Sequence, residues 1–377
     1  MEKKKKMIPV YEPDLTELEK KMLIKAFDSG WISSKGKYID LFEEEFSKFL
    51  GVKHSITVSN GTVSLHLILK ALDIGNGHEV IVPTFTYIAS VNAIKYVNAV
   101  PVFVDCEEGS WNMNVREVEK KITSKTKAIM AVHLYGQSVD LDPLREICNK
   151  YNIYLIEDAA EAFGTKYKGK MVGSFGIAGS FSFYGNKTIT TGEGGMVVTN
   201  DEKLASKIRK LKNQGNSEKF RYWHDIIGYN YRLTNLQAAI GYAQLLRANK
   251  ILDKKRKIAE WYKKYLNHNL IYHPPVKEYS EDSFWMYSIL LDKKLENYRD
   301  IIMKTLEKEY KIETRPFFYP VTEMPMYKIY KTEEFINAEK IHKRGINLPS
   351  SSTLKEEDIK YISEAIVKVI NKIMSNL

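Results

Sequence analysis

Short apolar segments alternate with helical patterns along the first 200 residues, and this alternation limits the possible folds more than any other feature. Apolar residues spaced three and four apart predict helices over 16–29 and 38–50, and a further helix ends near Ala71. Strand-like runs between such helices cover 54–59, 80–83, 101–105, 128–133 and 154–157. The alternation predicts an α/β fold with a mainly parallel sheet and helices on both faces.

The pattern changes after residue 250. A long charged helix from Ile251 leads to two consecutive prolines, Pro274 and Pro275. Beyond them the chain reads as strand, helix, strand and helix, over 284–291, 295–308, 312–316 and 356–374. We therefore expect a large domain of residues 1–250 and a small C-terminal α+β domain of residues 251–377.

Residues 181–195 read FSFYGNKTITTGEGG and hold a single lysine, Lys187, between an aromatic entry and three glycines. Glycine permits tight turns and lets the backbone approach a ligand closely. A lysine that is partly removed from water can lose its proton and act as an amine nucleophile, as Schiff-base chemistry requires. A β-hairpin with a solvent-facing lysine fits the same pattern, so this stretch alone leaves both interpretations open.

A second stretch, YLIEDAAEAFG, favours the chemical interpretation. Asp158 lies just past the carboxyl end of a predicted strand, where ligands bind in open α/β sheets. Lys187 follows it by 29 residues. Pyridoxal phosphate requires such a pair, because the lysine forms the Schiff base and the carboxylate keeps the pyridine nitrogen protonated. A helix is expected to begin near Ala159 and to carry Glu161 in its first turn.

Three motifs together resemble one enzyme family. They are EDAAEAFG, FSFYGNKTITTGEGG and GYNYRLTNLQAAIG, and the chain is similar to the DegT/DnrJ/EryC1/StrS family of sugar aminotransferases from about Ile8 to about Asn371. The resemblance implies the type I, aspartate aminotransferase-like fold, pyridoxal phosphate as cofactor, and a homodimer with shared active sites. Within the family, RYWHDIIGYNYR and TRPFFYP are most similar to the perosamine-forming members.

The segment SNGT, which opens the predicted helix ending near Ala71, is a candidate phosphate site. Backbone N–H groups at a helix N-terminus bind phosphate, so Gly61 and Thr62 could hold the cofactor phosphate. Helix capping by the polar residues of the same segment explains the motif equally well, and both roles are compatible.

The resemblance implies roles for four more residues at the cofactor. The ring of Tyr87 is expected to lie flat on the pyridine ring, and the Ser182 hydroxyl to donate to the phosphate. Glu161 is expected near the phenolic oxygen, at a position where many relatives carry glutamine. Asn230 corresponds to a residue that reaches the cofactor phosphate of the partner subunit; a turn residue is the alternative.

Five residues are candidates for binding substrate. The resemblance brings Trp31 and Ser33, in the loop WISSKG, near the sugar, although this loop could also be a simple connector. Arg232 is either a substrate or interface contact or a helix-entry cap. Arg315 and Tyr319 lie in ETRPFFYP, and a guanidinium there can grip a carboxylate or phosphate with two hydrogen bonds. An ordinary surface ion pair is the alternative for Arg315.

The resemblance implies transfer of an amino group from L-glutamate to the keto carbon of a nucleotide-linked sugar, in the synthesis of a surface polysaccharide such as capsule or lipopolysaccharide. The expected acceptor is GDP-4-keto-6-deoxy-D-mannose, which would give GDP-perosamine. A small phosphorylated ketone is the second candidate. A dehydratase of the same fold and a non-catalytic binding or regulatory protein are further alternatives. Lys187 argues against the dehydratase, because the dehydratase relatives carry histidine at that position. Lys187 and Asp158 together argue against a non-catalytic protein.

Composition excludes several other classes. The net charge of +10 includes four lysines in the start MEKKKK, which lacks the apolar region of a secretory signal. No apolar run approaches the roughly 18 residues of a membrane helix, and no basic stripe or motif suggests nucleic-acid binding. Cys106 and Cys148 have no metal-ligand spacing and fit a reducing cytoplasm. We expect no metal site.

Overall fold

The computed structural model describes residues 7–375. The sequence predicts a flexible start over residues 1–13, of which the first six, MEKKKK, lie outside the described residues. Within the described residues, Ile8 bridges Ile312 and bonds to the backbone on either side of it, so the N-terminal segment is fixed to the C-terminal part of the chain.

Helices and strands alternate along the described part of the chain much as the sequence predicts. The α-helices are α1 (Glu17–Asp28), α2 (Lys37–Leu50), α3 (Gly61–Ala71), α4 (Ala89–Tyr96), α5 (Val115–Val118), α6 (Leu141–Tyr151), α7 (Glu202–Lys212), α8 (Asn235–Leu246), α9 (Ala248–Tyr265), α10 (Arg299–Tyr310), α11 (Ile336–Arg344) and α12 (Glu356–Met374). The strands are β1 (His54–Val58), β2 (Glu79–Pro83), β3 (Val100–Val104), β4 (Thr126–Val132), β5 (Tyr154–Asp158), β6 (Lys166–Tyr167), β7 (Lys170–Met171), β8 (Ala178–Ser182), β9 (Gly195–Thr199), β10 (Ile271–Tyr272), β11 (Ser280–Glu281), β12 (Tyr287–Leu291), β13 (Arg315–Pro316) and β14 (Gly345–Leu348). Short 3₁₀ segments cover Glu119–Lys121, Leu134–Gly136, Lys293–Tyr298, Val321–Glu323 and Lys328–Tyr330.

Local sequence explains where several helices begin. Thr16 and Glu19 form a capping box at the start of α1, and Thr234 and Gln237 form another at the start of α8. The side chain of Asn60 accepts a hydrogen bond at the start of α3. These caps satisfy backbone N–H groups that have no partner inside the helix.

A seven-stranded sheet forms the centre of the larger part, in the order β1-β9-β8-β5-β4-β2-β3. The pairings among β8, β5, β4, β2 and β3 are parallel, whereas β9 is antiparallel to both of its neighbours. Val80 and Val82 belong to one apolar core with residues of α3 and α4, and Ile81 belongs to the other with residues of α2 and α6. The sheet is therefore covered by helices on both faces, which confirms the predicted α/β fold.

The C-terminal part contains a four-stranded sheet in the order β10-β12-β14-β13. Its pairings are antiparallel, and it shares an apolar core with α9, α10 and α12. The helix α9 begins at Ala248 and contacts α12. A domain boundary after residue 250 stays a prediction.

Three sequence expectations need correction. The helix predicted near Ala159 is wrong, because residues 160–164 form turns and the Ala159 N–H bonds to Ser180 of the neighbouring strand. The strand predicted over 312–316 is reduced to β13, since Ile312 pairs with the N-terminal segment. The helix predicted over 295–308 is a 3₁₀ segment followed by α10.

Two further findings concern the molecule as a whole. None of the helices within residues 7–375 combines the length and apolar character that crossing a bilayer demands. Cys106 and Cys148 are both buried and unbridged. Burial raises the pKa of both thiols, to about 12 for Cys148, so neither has the character of a reactive thiolate.

Candidate active site

Asp158 ends β5 at the carboxyl edge of the large sheet, and its side chain is only 5% exposed. In the sheet it lies beside Val132 of β4 and Ser180 of β8. Its carboxylate accepts hydrogen bonds from Ser90 Oγ at 2.7 Å and from the Ala160 N–H at 3.1 Å. Burial nevertheless raises the pKa of Asp158, so a cationic partner at this carboxylate would stabilise its charged form.

Lys187 lies in the loop between β8 and β9, and its backbone is fixed on both sides. Its N–H donates to the Tyr184 carbonyl at 2.9 Å, and its carbonyl accepts from the Tyr11 hydroxyl at 2.7 Å. The Nζ atom lies 3.8 Å from Glu161 Oε1 and 3.9 Å from the ring centroid of Trp285. The amine is thus placed between a carboxyl group and an aromatic face.

Burial is the largest influence on the ionisation of Lys187 and lowers its pKa. The charges of Glu161 and Asp158 oppose this shift, so both carboxyl groups act on the same amine. A buried amine with a lowered pKa has a larger neutral fraction near pH 7, which is the form that attacks a carbonyl carbon.

Glu161 follows β5 in a turn, and its side chain is 6% exposed. Its Oε2 accepts a hydrogen bond from the Tyr135 N–H at 2.9 Å. Tyr135 has the unusual backbone φ of +53°, which aims this N–H at the carboxyl group. Burial raises the pKa of Glu161 to about 7, with the nearby Lys187 acting in the opposite direction. This carboxyl group can therefore exchange a proton near neutral pH.

Glu161→Gln should change how stability depends on pH. The folded protein binds the Glu161 proton more tightly than the unfolded chain, since burial raises its pKa from 4.5 to about 7. The stability that this bound proton contributes is present in full below pH 4.5 and is lost as the pH rises through about 7. Over that range the variant should gain up to about 3 kcal/mol in unfolding free energy relative to the parent protein. Urea unfolding of both proteins across that pH range measures the difference.

The matched control for this prediction is Glu364→Gln, at an exposed position on α12. That variant should keep a constant stability difference from the parent protein at every pH. A difference for Glu161→Gln that is equally independent of pH would show that Glu161 is already ionised in the folded protein.

The N-terminus of α3 meets the end of β8. The first N–H groups of the helix belong to Gly61 and Thr62 and have no partner inside it, while the Asn60 side chain caps the Val63 N–H at 3.0 Å. A Cβ atom on Gly61 would lie 2.9 Å from Cβ and 3.4 Å from Oγ of Ser182. Only glycine leaves room here, so backbone donors and a hydroxyl lie close together in a cradle suited to an anion.

Tyr87 follows β2 at the same edge of the sheet and is 56% exposed. Its ring centroid lies 5.6 Å from that of Phe318, with the planes tilted by 51°. A large part of the Tyr87 ring is therefore free to stack on a ligand. Phe85, two residues earlier, is buried in the core.

Together these groups fit pyridoxal phosphate. The amine of Lys187 has the lowered pKa that covalent attachment needs, and the buried Asp158 requires the kind of cation that a protonated pyridine nitrogen supplies. The Gly61–Ser182 cradle offers donors for a phosphate group. The sequence brings these groups from three separate segments to one edge of one sheet.

The predicted substrate residues Trp31 and Ser33 lie in a loop that is held to α8. The Trp31 carbonyl accepts from Asn235 Nδ2 at 2.7 Å, and the Ser33 carbonyl accepts from the Asn235 N–H at 2.6 Å. Trp31 remains 58% exposed. A Cβ atom on Gly36 would collide with the Asn235 amide, so the loop lies tightly against the helix start.

The other predicted residues lie at the surface of this single chain. Asn230 is exposed, and its backbone bridges Asn213, whose side chain accepts from Arg232 at 2.6 Å. Arg315 is exposed, and its guanidinium lies 3.5 Å from the carboxylate of Glu313, as in the alternative of an ordinary surface ion pair. The exposed ring of Tyr319 packs on His342 with centroids 4.0 Å apart.

Sequence reasoning missed four residues that contact the candidate site. Ser90 and Tyr135 donate to the two carboxyl groups, and Tyr11 and Trp285 contact Lys187. Trp285 lies in the aromatic and apolar segment FWMYSILL, but the sequence alone assigns it no role. Each contact joins segments that are far apart in the sequence, by 176 residues for Tyr11.

A cavity of about 630 Å³ lies outside this group of residues. Lysine, arginine and carboxylate side chains line it, among them Arg116, Glu119 and Lys150. None of the predicted site residues lines it, and two ion pairs join its lining residues, Lys150–Glu119 at 2.7 Å and Lys277–Glu107 at 3.3 Å. It is therefore not the candidate active site.

Comparison with known proteins gives a consistent result. A model of the DegT/DnrJ/EryC1/StrS aminotransferase family matches residues 13–367. The GDP-perosamine synthase of Vibrio cholerae is 51% identical over 371 residues, which cover 97% of this chain and all of that protein. The GDP-perosamine synthase of Escherichia coli O157:H7 is 52% identical over 363 residues, or 96% and 98% of the two chains.

Among solved structures, the PLP form of the putative sugar aminotransferase Spr1654 from Streptococcus pneumoniae has a TM-score of 0.92. It is 28% identical and covers 97% of this chain and 99% of its own. The agreement extends over both the large and the C-terminal parts, so the whole architecture is shared.

Proposed function

The chain belongs to the DegT/DnrJ/EryC1/StrS aminotransferase family, which makes it a pyridoxal-phosphate-dependent sugar aminotransferase, and we propose that it forms GDP-perosamine. The amino donor in this proposal is L-glutamate, and the acceptor is the keto carbon of GDP-4-keto-6-deoxy-D-mannose. Relatives named GDP-perosamine synthase at 45% to 52% identity over nearly the full chain support this acceptor. The product would enter the synthesis of a surface polysaccharide.

One observation carries the proposed chemistry: the amine of Lys187, whose side chain is only 13% exposed, lies 3.8 Å from Glu161 and is affected by the charge of Asp158. Lys187 would hold the cofactor covalently, and Asp158 would hold a proton at its pyridine nitrogen. Bound pyridoxal phosphate supplies a carbonyl that exchanges amines and a ring that withdraws electrons. Ser182 and the N–H groups of Gly61 and Thr62 would bind the phosphate.

The side chains then divide the proton transfers between them. Once its amine is free, Lys187 Nζ removes the proton from Cα of L-glutamate and later returns a proton at the sugar carbon, acting as general base and general acid. Glu161 lies 3.8 Å from this nitrogen, so its carboxyl group can stabilise the positive charge of Lys187 when the amine is protonated. Tyr87 would cover the ring and orient it for these transfers, and burial keeps water from competing.

A homodimer with shared active sites is part of the proposal. Asn230 is exposed on the single chain, as a residue that serves the partner subunit would be. Its segment also exposes Tyr222 at 82%, Trp223 at 61% and Ile227 at 87%, which is typical of a surface that another subunit covers. We assign Arg232 to the same interface.

Two exposed segments of the chain would bind the substrates. Trp31 and Ser33 would approach the sugar from the loop held to α8. Arg315 and Tyr319 would contact the diphosphate or the carboxylates of L-glutamate, because the Glu313 contact at 3.5 Å leaves the guanidinium largely available. A cytoplasmic location is supported by the two unbridged thiols.

The substrate is tested by assaying release of 2-oxoglutarate from L-glutamate with a panel of nucleotide-linked 4-keto sugars and small phosphorylated ketones. We expect turnover with GDP-4-keto-6-deoxy-D-mannose at a kcat/KM at least about 100-fold above that for the phosphorylated ketones. Turnover with another acceptor and none with a GDP sugar would reject GDP-perosamine as product while leaving the amino transfer intact.

Gly61→Ala should weaken binding of pyridoxal phosphate about 10- to 100-fold. The added methyl group would meet the Ser182 side chain at 2.9 Å and push the phosphate donors apart. Loss of one or two hydrogen bonds to a charged group accounts for an effect of this size. Titration of the cofactor-free protein, followed by absorbance, measures the dissociation constant.

Gly75→Ala is the control, since its Cβ would make only an ordinary 3.4 Å contact with the Val97 carbonyl. It should bind the cofactor as the parent protein does. Unchanged affinity in Gly61→Ala would mean that the phosphate does not bind in this cradle.

A further inference from the structure

Lys255 is a buried lysine that contacts two of the residues around Lys187, Trp285 and Tyr11, and has no role in the mechanism above. It belongs to α9, and its side chain is 1% exposed. Its Nζ donates to the Trp285 carbonyl at 2.8 Å and to the Ser350 carbonyl, and it lies 5.2 Å from the ring centroid of Tyr11. Both of these hydrogen bonds are thus made to backbone carbonyls.

This arrangement is costly for a residue with only a structural role. Burying an ammonium without a carboxylate partner opposes folding, and an apolar side chain would avoid that cost. Burial alone lowers the pKa of Lys255 to about 7. The ring of Tyr11 faces this amine, and burial raises the pKa of the Tyr11 phenol. A buried charge of this kind points to a function.

Trp285 and Tyr11, which contact Lys255, also contact the loop that carries Lys187. Trp285 places its ring 3.9 Å from Lys187 Nζ and donates from Nε1 to the Asn186 carbonyl at 2.7 Å. Tyr11 donates from its hydroxyl to the Lys187 carbonyl at 2.7 Å. Lys255 therefore contacts both aromatic residues next to the nucleophile. Tyr11 fixes the backbone of Lys187, and Trp285 covers its amine.

Ser350 connects the same lysine to the C-terminal part of the chain. Its N–H donates to the Val10 carbonyl at 2.9 Å, and its Oγ accepts from the Tyr287 N–H at 2.7 Å. One ammonium thus joins the N-terminal segment, the start of β12 and the segment after β14.

We propose that Lys255 is a positioning residue, whose ammonium holds Trp285 and Tyr11 against the Lys187 loop and so keeps the indole face over the reacting amine. An aromatic face favours a positively charged nitrogen. With the ring held in place, the nitrogen of Lys187 keeps its proton more readily, alongside the effects of Glu161 and Asp158. The inference rests on the proposed attachment of the cofactor to Lys187.

The test is Lys255→Met in the holoenzyme, followed by the pH dependence of the visible absorption of the lysine-bound cofactor. The midpoint of that titration should fall by about one pH unit, because the indole no longer stabilises the charged nitrogen. We also expect kcat to fall about tenfold while KM for L-glutamate stays within about twofold. Loss of packing alone would not move the absorption midpoint.

Lys257→Met is the matched control, since Lys257 is exposed on the same helix and pairs with Glu260 at the surface. It should leave both the midpoint and kcat unchanged. Trp285→Leu should lower the midpoint as Lys255→Met does, and the double variant should shift no further than Trp285→Leu alone. Additive shifts would show that Lys255 does not act through the indole.

An unchanged midpoint in folded Lys255→Met would overturn the proposal. Should that variant fail to fold, Lys255→Gln keeps one amide donor for a carbonyl and supplies the same measurement. Failure of the proposed function would look different, because Lys187→Ala would then keep the absorption band that the titration follows.

Discussion

Lys187→Ala should lower the rate of amino transfer by at least about 10⁴-fold, equal to about 5.5 kcal/mol in the barrier. The variant lacks the amine that would both hold the cofactor and move the Cα proton, and no neighbouring side chain replaces two roles at once. The same change should leave the cofactor-free protein as stable as its parent or more stable, since burial opposes the charge of this lysine. Steady-state kinetics and thermal unfolding measure the two effects.

Lys203→Ala, at an exposed position on α7, is the control and should retain full activity. Two outcomes would contradict the prediction for Lys187. One is a variant that keeps more than a hundredth of the parent rate. The other is a cofactor-free variant that unfolds at a markedly lower temperature, which would give Lys187 a structural role.

Asp158→Asn should lower kcat about 10³-fold, or about 4 kcal/mol in the barrier, with the fold preserved. An amide has the same shape as the carboxylate and can remain bonded to Ser90 and Ala160, which donate to Asp158. It carries no negative charge, so it cannot hold the proton on the pyridine nitrogen that makes the ring an electron sink. Kinetics with L-glutamate as donor measure the loss.

Ser90→Ala provides a graded comparison. It keeps the carboxylate but removes the donor that bonds to Asp158 Oδ2 at 2.7 Å, so we expect a loss of about tenfold. If Asp158→Asn proved as active as Ser90→Ala, the negative charge at this position would not matter to the reaction.

The parts of the fold that depend on local signals were predictable from the sequence. The helix over 356–374 matches α12 at both ends, and the capping box of Thr234 and Gln237 that precedes α8 is likewise a local sequence signal. The alternation of strands and helices was enough for the α/β class. Such features depend on neighbouring residues, which a single sequence contains in full.

The errors come from contacts between distant segments. Residues after Asp158 read as helical because they are rich in alanine, yet the Ala159 N–H bonds across to β8 and Gly164 turns the chain with a φ of +82°. Tertiary contacts overrode local helix propensity there. Ile312 was expected inside a strand of the C-terminal sheet but pairs with the N-terminal segment instead.

The candidate site was likewise predictable only in part. Lys187 and Asp158 stand out because their residue types and the flanking glycines and strand suit one chemistry. Ser90, Trp285 and Lys255 do not stand out, since their importance comes only from what lies opposite them in space. A serine in a helix or a lysine in a charged helix gives no signal until the fold is known.

The central claim is that the amine of Lys187 binds pyridoxal phosphate, and the most direct measurement is reduction of the holoenzyme with sodium borohydride followed by peptide mass mapping. We predict loss of the visible absorption band and a phosphopyridoxyl group on the peptide that contains Lys187, at that residue alone. A modified lysine elsewhere, Lys255 included, or a protein that binds the cofactor without any trapped lysine, would contradict the account.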